Sequence, residues 1–313
     1  MAIQISGGVQ LSGPVLLDPT GGSSSSSSGV TDGYVSGGEN GPNVSTIDKF
    51  SFSSDSNASD VGNLTVARQY LAGQSSSSYG YATGGSPMNN IIDKFPFASN
   101  GNASDVGDLT QSRHSPAGSN SSDNGYAAGG SAYPIVSNVI DKFSFSSDDN
   151  ATDVGDLIVG RYFGGGGQSS ASSGYASGGQ SGPTTVLNSI EKYPFSSDTN
   201  ASDVGDLSSA KTLFAGQSSA DNGYASGGAN PSRLTTIDKF PFASDGNATD
   251  VADLNTAASS ACGQSSSSSG YNSGGFNTAA INEIQKFPFA SDSNATDVGD
   301  LSSVRINTSG QQG

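Results

Sequence analysis

One unit recurs six times along this 313-residue chain, and no other feature limits its fold so tightly. Three markers define the unit. A Gly-Tyr-x-x-Gly-Gly motif places its tyrosine at Tyr34, Tyr81, Tyr126, Tyr175, Tyr224 and Tyr271. An Ile-Asp-Lys-Phe-x-Phe run begins at Ile47, Ile92, Ile140, Ile190, Ile237 and Ile284. An Asp-Val-Gly-Asp-Leu segment begins at Asp60, Asp105, Asp153, Asp203, Asp250 and Asp297, with small departures such as Asn63 and Ala252. The repeat length is about 47 residues. A unit of this size stacks its apolar residues on its neighbours, so six copies make one architecture.

Each unit reads as four short strands. Phe50 and Phe52 lie two apart and share one face, opposite Ile47, Lys49 and Ser51. Asp55-Ser56-Asn57 follows, and short polar side chains of this kind favour turns. Val61 and Leu64 supply a second apolar segment, and the Tyr70 to Ser75 and Tyr81 segments supply two more around the serine turn 76–78. No window carries helical periodicity, and the many glycines and serines penalise helix. A period in the forties with four strands marks a β-propeller blade, so the expectation is an all-β, six-bladed propeller.

Composition alone describes a linker: Leu, Ile, Val and Phe make up about 18% of the chain, glycine numbers 44 and the net charge is −16. Placement overrules it. One blade buries about six large side chains at roughly 1.5–3 kcal/mol each. Ordering its backbone costs about 1–2 kcal/mol per residue. A single blade therefore does not fold alone, while a closed ring covers both faces of every sheet and leaves no free edge.

Strand, double glycine, variable loop, aromatic-bearing strand, Leu segment and basic residue form an order that resembles the kelch repeat. The double glycines are Gly37-Gly38, Gly84-Gly85, Gly129-Gly130, Gly178-Gly179, Gly227-Gly228 and Gly274-Gly275. The third-strand aromatic falls at Phe50, Phe95, Phe143, Tyr193, Phe240 and Phe287, and the basic residue at Arg68, Arg113, Arg161, Lys211 and Arg305, with Ala258 in the remaining unit. The customary tryptophan is absent, and Val61 and its equivalents stand in its place. The resemblance covers roughly residues 30 to 313 and implies four-stranded blades.

The expected domains are an arm with a serine tether over 1–28 and a propeller over 29–313. Basic-x4-Gly-Gln marks the inner strands, as in Arg68 to Gly73-Gln74 and Lys211 to Gly216-Gln217, and the same register recurs in Arg305 to Gly310-Gln311. No such pair precedes Tyr34. The C-terminal segment 303–312 is thus expected to complete the first blade, with Val15-Leu16-Leu17 as the alternative closing strand. Ile3, Ile5, Val9, Leu11, Val15, Leu16 and Leu17 make the first residues a β-capable arm on the serine leash 23–28, suited to strand addition on another subunit. A locally packed or unstructured terminus is the alternative for the same residues. The opening Met1-Ala2-Ile3-Gln4-Ile5-Ser6-Gly7 resembles the start of virion structural proteins of marine tailed bacteriophages, and the tandem units are similar to appendage proteins of such particles. That resemblance implies a virion location, with other virion subunits as partners of the arm.

The acidic balance argues against nucleic acid and anionic membrane surfaces as partners. No stretch approaches the length of a spanning helix, so no membrane insertion is expected. The N-terminal residues lack the basic and apolar regions of a secretory signal. Cys262 and His114 are the sole cysteine and histidine, too few for the metal site of kelch-fold copper oxidases, and no catalytic residues are expected. Asp55 to Asp60 and its relatives place oxygens at alternate positions, which suits either Asx turns or Ca²⁺, although the glycine and glutamate of an EF-hand are missing. No cofactor is otherwise expected. Asn57, Asn102, Asn150, Asn200, Asn247 and Asn294 fit the glycosylation pattern, which is read as fortuitous. Gly164 to Gly167 lacks the Lys-Ser or Lys-Thr of a phosphate loop and reads as a loose inner strand. Asp48-Lys49 and its copies read as a solvated edge or an inter-blade pair.

What varies between units is the loop after the double glycine: 39–45, 86–90, 131–138, 180–188, 229–235 and 276–282. These loops carry Glu39, Met88, Tyr133, Arg233 and Phe276, the expected binding residues on one side of the disc. The functional expectation is a non-catalytic virion adhesion protein, its propeller displayed outward to a host glycan or a neighbouring subunit. A free carbohydrate-binding lectin is the alternative.

Overall fold

The computed structural model describes residues 30–313 apart from Tyr133 and Gly165. The expected arm and the alternative closing strand Val15-Leu16-Leu17 lie outside the described residues. In the second unit, the strands Ala72–Ser75, Tyr79–Thr83, Ile91–Pro96 and Ser104–Asp108 pair antiparallel in chain order. The third, fourth, fifth and sixth units repeat that order, their inner strands being Ala117–Asn120, Gln168–Ser169, Ala215–Ser218 and Cys262–Ser265. In the fourth unit the inner strand shrinks to two residues behind its glycine run.

The first blade takes its inner strand from the other end of the described chain. Ser309–Gln312 pairs antiparallel with Asp32–Ser36, from Gly33 opposite Gln312 to Ser36 opposite Ser309, and Thr46–Ser51 and Ser59–Asn63 complete the sheet. The closing strand is shorter than the expected 303–312. Arg305 and Ile306 are drawn out of it, the first into a buried ion pair and the second into a bridge with Glu39. Each inner strand lies against the inner strands of both adjacent blades, so the circle is complete and the fold is an all-β, six-bladed propeller.

The apolar core is divided among the six junctions rather than held within blades. Between the first and second blades, Tyr34, Ile47, Leu64 and Leu71 meet Ala82 and Phe95. Tyr34 stacks on Phe97 at 4.8 Å between ring centroids and tilts against Phe95 at 5.7 Å. The second-strand tyrosine of every blade repeats this contact with the two aromatics of the next, ending with Tyr271 on Phe52 and Phe50. In each blade the pairing of third and outer strands slips by a residue near Ile47 or its equivalent, a bulge that adds the twist a propeller sheet needs.

Glycine is required at two repeated places. The double glycines adopt positive φ in all six units, Gly37 at 63° and Gly38 at 106° in the first. A Cβ on the inner-strand glycines Gly73, Gly118, Gly216, Gly263 or Gly310 would collide with the backbone carbonyl of a glycine in the adjacent blade. The inner strands are thus packed backbone to backbone against their neighbours around the axis.

Candidate functional site

Most side chains that repeat from unit to unit are spent on joining blades. The asparagine of each glycosylation-like triplet accepts a hydrogen bond from an outer-strand N–H of the preceding blade: Asn102 Oδ1 from Asn63, Asn150 from Asp108, and Asn57 from Asp300, at 3.0 to 3.1 Å. The Asp60 carboxylate accepts from the Gly62 N–H at 3.1 Å, and Asp105, Asp153, Asp203 and Asp297 do the same in their own blades. Asp55 forms an ion pair with Lys286 of the neighbouring blade at 3.0 Å, one of five such surface pairs. The second blade has Asn100 at this turn position, and Lys49 turns instead to Asp32 of its own blade at 3.2 Å.

Closer to the axis, inner-strand glutamines cross the junctions. Gln74 Nε2 donates to the Tyr126 carbonyl at 2.9 Å, and Gln168, Gln217, Gln264 and Gln311 do likewise to Tyr224, Tyr271, Tyr34 and Tyr81. The third blade has Ser119 at this position. Its hydroxyl is 2.6 Å from the Tyr193 hydroxyl of the fourth blade, the one blade with tyrosine where the others carry phenylalanine. Burial pushes the Tyr193 phenol above its ordinary pKa.

The basic residue of each unit pairs with the carboxylate of the following blade, which places Asp48 and its copies in buried inter-blade pairs rather than on a solvated edge. Arg68 meets Asp93 at 2.9 Å and Arg113 meets Asp141 at 2.9 Å. Lys211 meets Asp238 at 3.3 Å, and Arg161–Glu191 and Arg305–Asp48 complete the set. These side chains are essentially inaccessible to water, and burial lowers the pKa of Arg68, Arg113, Arg161 and Lys211, with the carboxylates opposing it. Asp93 is also held by the Thr65 N–H and hydroxyl. At the fifth junction both charges are gone. Ala258 stands for the base and Gln285 for the acid, and Gln285 exchanges hydrogen bonds with the Thr256 backbone at 2.9 and 3.1 Å.

With these residues occupied, the free chemistry falls on one face. The residue before the entry to each inner strand bridges the residue after the double glycine: Gln69 to Ser86, His114 to Ser131, Tyr162 to Gln180, Ser259 to Phe276 and Ile306 to Glu39. The variable loops therefore share a side of the disc with the entries to the inner strands. Glu39 is half-buried in these bridges, and Met88 stands 41% exposed. Arg233 lies over the Phe276 ring, 4.4 Å from its centroid, which joins the loops of the fifth and sixth blades. Glu39 and Met88 are not part of that contact, and Tyr133 lies outside the described residues, as do Ile3, Ile5, Val9, Leu11, Val15, Leu16 and Leu17.

A cavity of about 1240 Å³ follows the axis from Tyr70 and Asn307 at the loop face to the turns around Ser77 and Ser122 at the other. At the loop-face mouth stand six non-glycine residues in left-handed conformation, one per blade: Tyr70, Ser115, Phe163, Leu213, Ser260 and Asn307, with φ between 53° and 61°. Each such residue costs on the order of 1–3 kcal/mol. Backbone hydrogen bonds link them in a chain that runs from Phe163 round to Ser115: Leu213 N–H donates to Phe163, Ser260 to Leu213, Asn307 to Ser260, Tyr70 to Asn307 and Ser115 to Tyr70, at 2.7 to 2.8 Å. Sequence reading passed over this ring, because its members share no residue type. The only signal was a place between a constant base and a constant glycine where the residue differs in almost every unit.

Among the described residues, no group of three or more His, Cys, Asp or Glu side chains converges as a metal site would. Cys262 is buried in a junction core, and burial raises its thiol pKa. His114 sits in an aromatic cluster with Tyr70 and Phe163, and burial lowers its pKa. No model of a known protein family matches the chain, and no curated protein matches it.

Proposed function

We propose that this protein is a non-catalytic binding module, a rigid disc that presents its loop face to a partner. One observation supports this above the rest: most side chains repeated from unit to unit are engaged in joining blades, while the variable loops after the double glycines gather on one face. A scaffold braced so uniformly suits the display of variable loops. In this reading the disc belongs to a phage virion, on tail or capsid. Residues 1–28 anchor it to another virion subunit, and the loops with Glu39, Met88, Tyr133, Arg233 and Phe276 meet a host surface glycan or a neighbouring subunit. The resemblance of the opening residues to virion proteins supports that setting. In this reading no cofactor is needed, with Ca²⁺ at the Asp55 to Asp60 turns as the alternative, no membrane is entered and no nucleic acid is bound. Deleting residues 1–22 is the test. The expected product is a folded propeller that no longer joins the particle, and unchanged incorporation refutes the anchoring. A free carbohydrate-binding lectin is the second reading, favoured by a hydroxyl-rich axial cavity, and glycan binding by the truncated form with no particle association at all would select it.

A further inference from the structure

The loop-face mouth of the axial cavity is six-fold in backbone and strongly asymmetric in side chains. Tyr70 and Phe163 stand 5.2 Å apart between ring centroids, with His114 5.7 Å from Tyr70 and Tyr162 4.6 Å from Phe163. All four belong to the entries of the second, third and fourth inner strands. Across the mouth the equivalent residues are Leu213, Ser260 and Asn307. The backbone is held in a sparsely populated conformation whose side chain then differs almost unit by unit. Strain kept under such variation is a mark of a functional position.

Two features specify what would fit. Among the described residues the cavity lining includes no Lys or Arg, and its one acidic side chain, Asp221, stands in the turn at the end away from the loop face, so neither a phosphate nor a cation finds a counter-charge at the mouth. The walls are mostly serine hydroxyls, glycine backbone and carboxamides, which offer both donors and acceptors.

We propose that this mouth is a binding subsite for a neutral pyranose sugar, stacked against Tyr70 and Phe163 with its hydroxyls directed to the serine-rich wall of the cavity. A sugar ring has an apolar C–H face for the aromatics and hydroxyls on its rim, and it needs no counter-charge. The subsite deepens the binding-module reading and rests on it. It lies at the axis, apart from the Arg233–Phe276 contact on the fifth and sixth loops.

The repeat itself supplies variants that the backbone tolerates, since serine and leucine occupy equivalent positions at Ser115, Ser260 and Leu213. The experiment uses the full chain with the methyl glycosides of glucose, galactose, mannose and N-acetylglucosamine as probes, read by saturation-transfer NMR and titration. The expected result is binding of at least one glycoside, weakened at least about tenfold in Y70S/F163L at an unchanged Tm, while G101A, with open space around it, binds as the wild type does and F276A is titrated alongside. Phe163→Leu alone gives the same reading should the double variant fold poorly. No transfer from any of the four probes overturns the subsite, as does equal affinity in the variants. Loss of binding in F276A with retention in Y70S/F163L also overturns it and moves recognition to the loops. The particle-incorporation test is independent of all these outcomes, so the subsite can fail while the display reading stands.

Discussion

The fifth junction, where Ala258 and Gln285 replace the buried ion pair, provides a double-mutant experiment already performed by the chain. Transferring it to the first junction means Arg68→Ala, Asp93→Gln and their combination. In the wild type the Arg68 guanidinium donates to Asp93 at 2.9 Å and to the Ala82 carbonyl at 2.9 Å, with both side chains shielded from water. Arg68→Ala leaves a buried carboxylate whose remaining donors are the N–H and hydroxyl of Thr65. Asp93→Gln leaves a buried cation. Removing one member of a buried pair costs about 3–5 kcal/mol. Independent effects would then add to roughly 6–10 kcal/mol in the double variant. The arrangement at Gln285 says otherwise: a neutral amide takes backbone hydrogen bonds there and no charge is stranded. The double variant should cost no more than the milder single one, its residual loss being the space left by the arginine stem.

The assay is equilibrium urea unfolding with a thermal melt as a second reading. Each single variant should lower Tm by roughly 6–15 °C. A double variant near the sum of the singles would refute the reasoning. It would show that each charge is stabilised by its own surroundings and that Ala258 and Gln285 are unrelated departures.

The remaining predictions concern the ring and its tyrosines. Gly73→Ala places a methyl group against the Gly310 carbonyl of the adjacent blade and should abolish soluble expression or lower Tm by more than 10 °C, on the order of several kcal/mol, whereas Gly101→Ala, with open space around it, should leave Tm unchanged. Truncation before Arg305 removes the inner strand of the first blade together with the partner of Asp48, and should lower Tm sharply and promote association through the exposed edge of Asp32–Ser36, seen by light scattering. The junction tyrosines Tyr34, Tyr81, Tyr126, Tyr175, Tyr224 and Tyr271 all have pKa values raised by burial, Tyr81 to about 12. The unfolded chain therefore loses these protons first, and stability should fall as pH rises from about 10 towards 12, with tyrosinate absorbance and unfolding appearing together. Gradual ionisation near pH 10 in a chain that stays folded would contradict this.

How much of this was legible in the residues follows from what each marker does. Tyr34, Ile47, Phe50 and Leu64 fill equivalent core positions in all six units, so their spacing carries the fold directly. Ring closure was readable for the same reason, since Arg305 to Gly310-Gln311 repeats a register whose base, glycine and glutamine each meet a fixed partner. The loops were recognisable by their variation, but not which of them touch. Arg233 and Phe276 lie in different blades and meet only because the ring places their loops side by side. The strained mouth was hidden for a different reason. A backbone hydrogen bond to the preceding blade and the close-packed inner strands hold Tyr70, Ser115 and Leu213 at positive φ, and no residue preference announces it.

Departures from the repeat, taken one at a time, look like drift. In pairs they are answers to one another. Ser119 in place of glutamine meets Tyr193 in place of phenylalanine, Ala258 meets Gln285, and Asn100 in place of aspartate sends Lys49 to Asp32. A closed ring of equivalent junctions enforces this, because a side chain altered at a junction leaves a space or a charge that the next blade must meet. The rule also separates structure from function within one sequence. A departure answered across a junction belongs to the scaffold. The loop residue Met88, 41% exposed, departs without such an answer, which is the pattern expected of a side chain whose partner lies outside the ring.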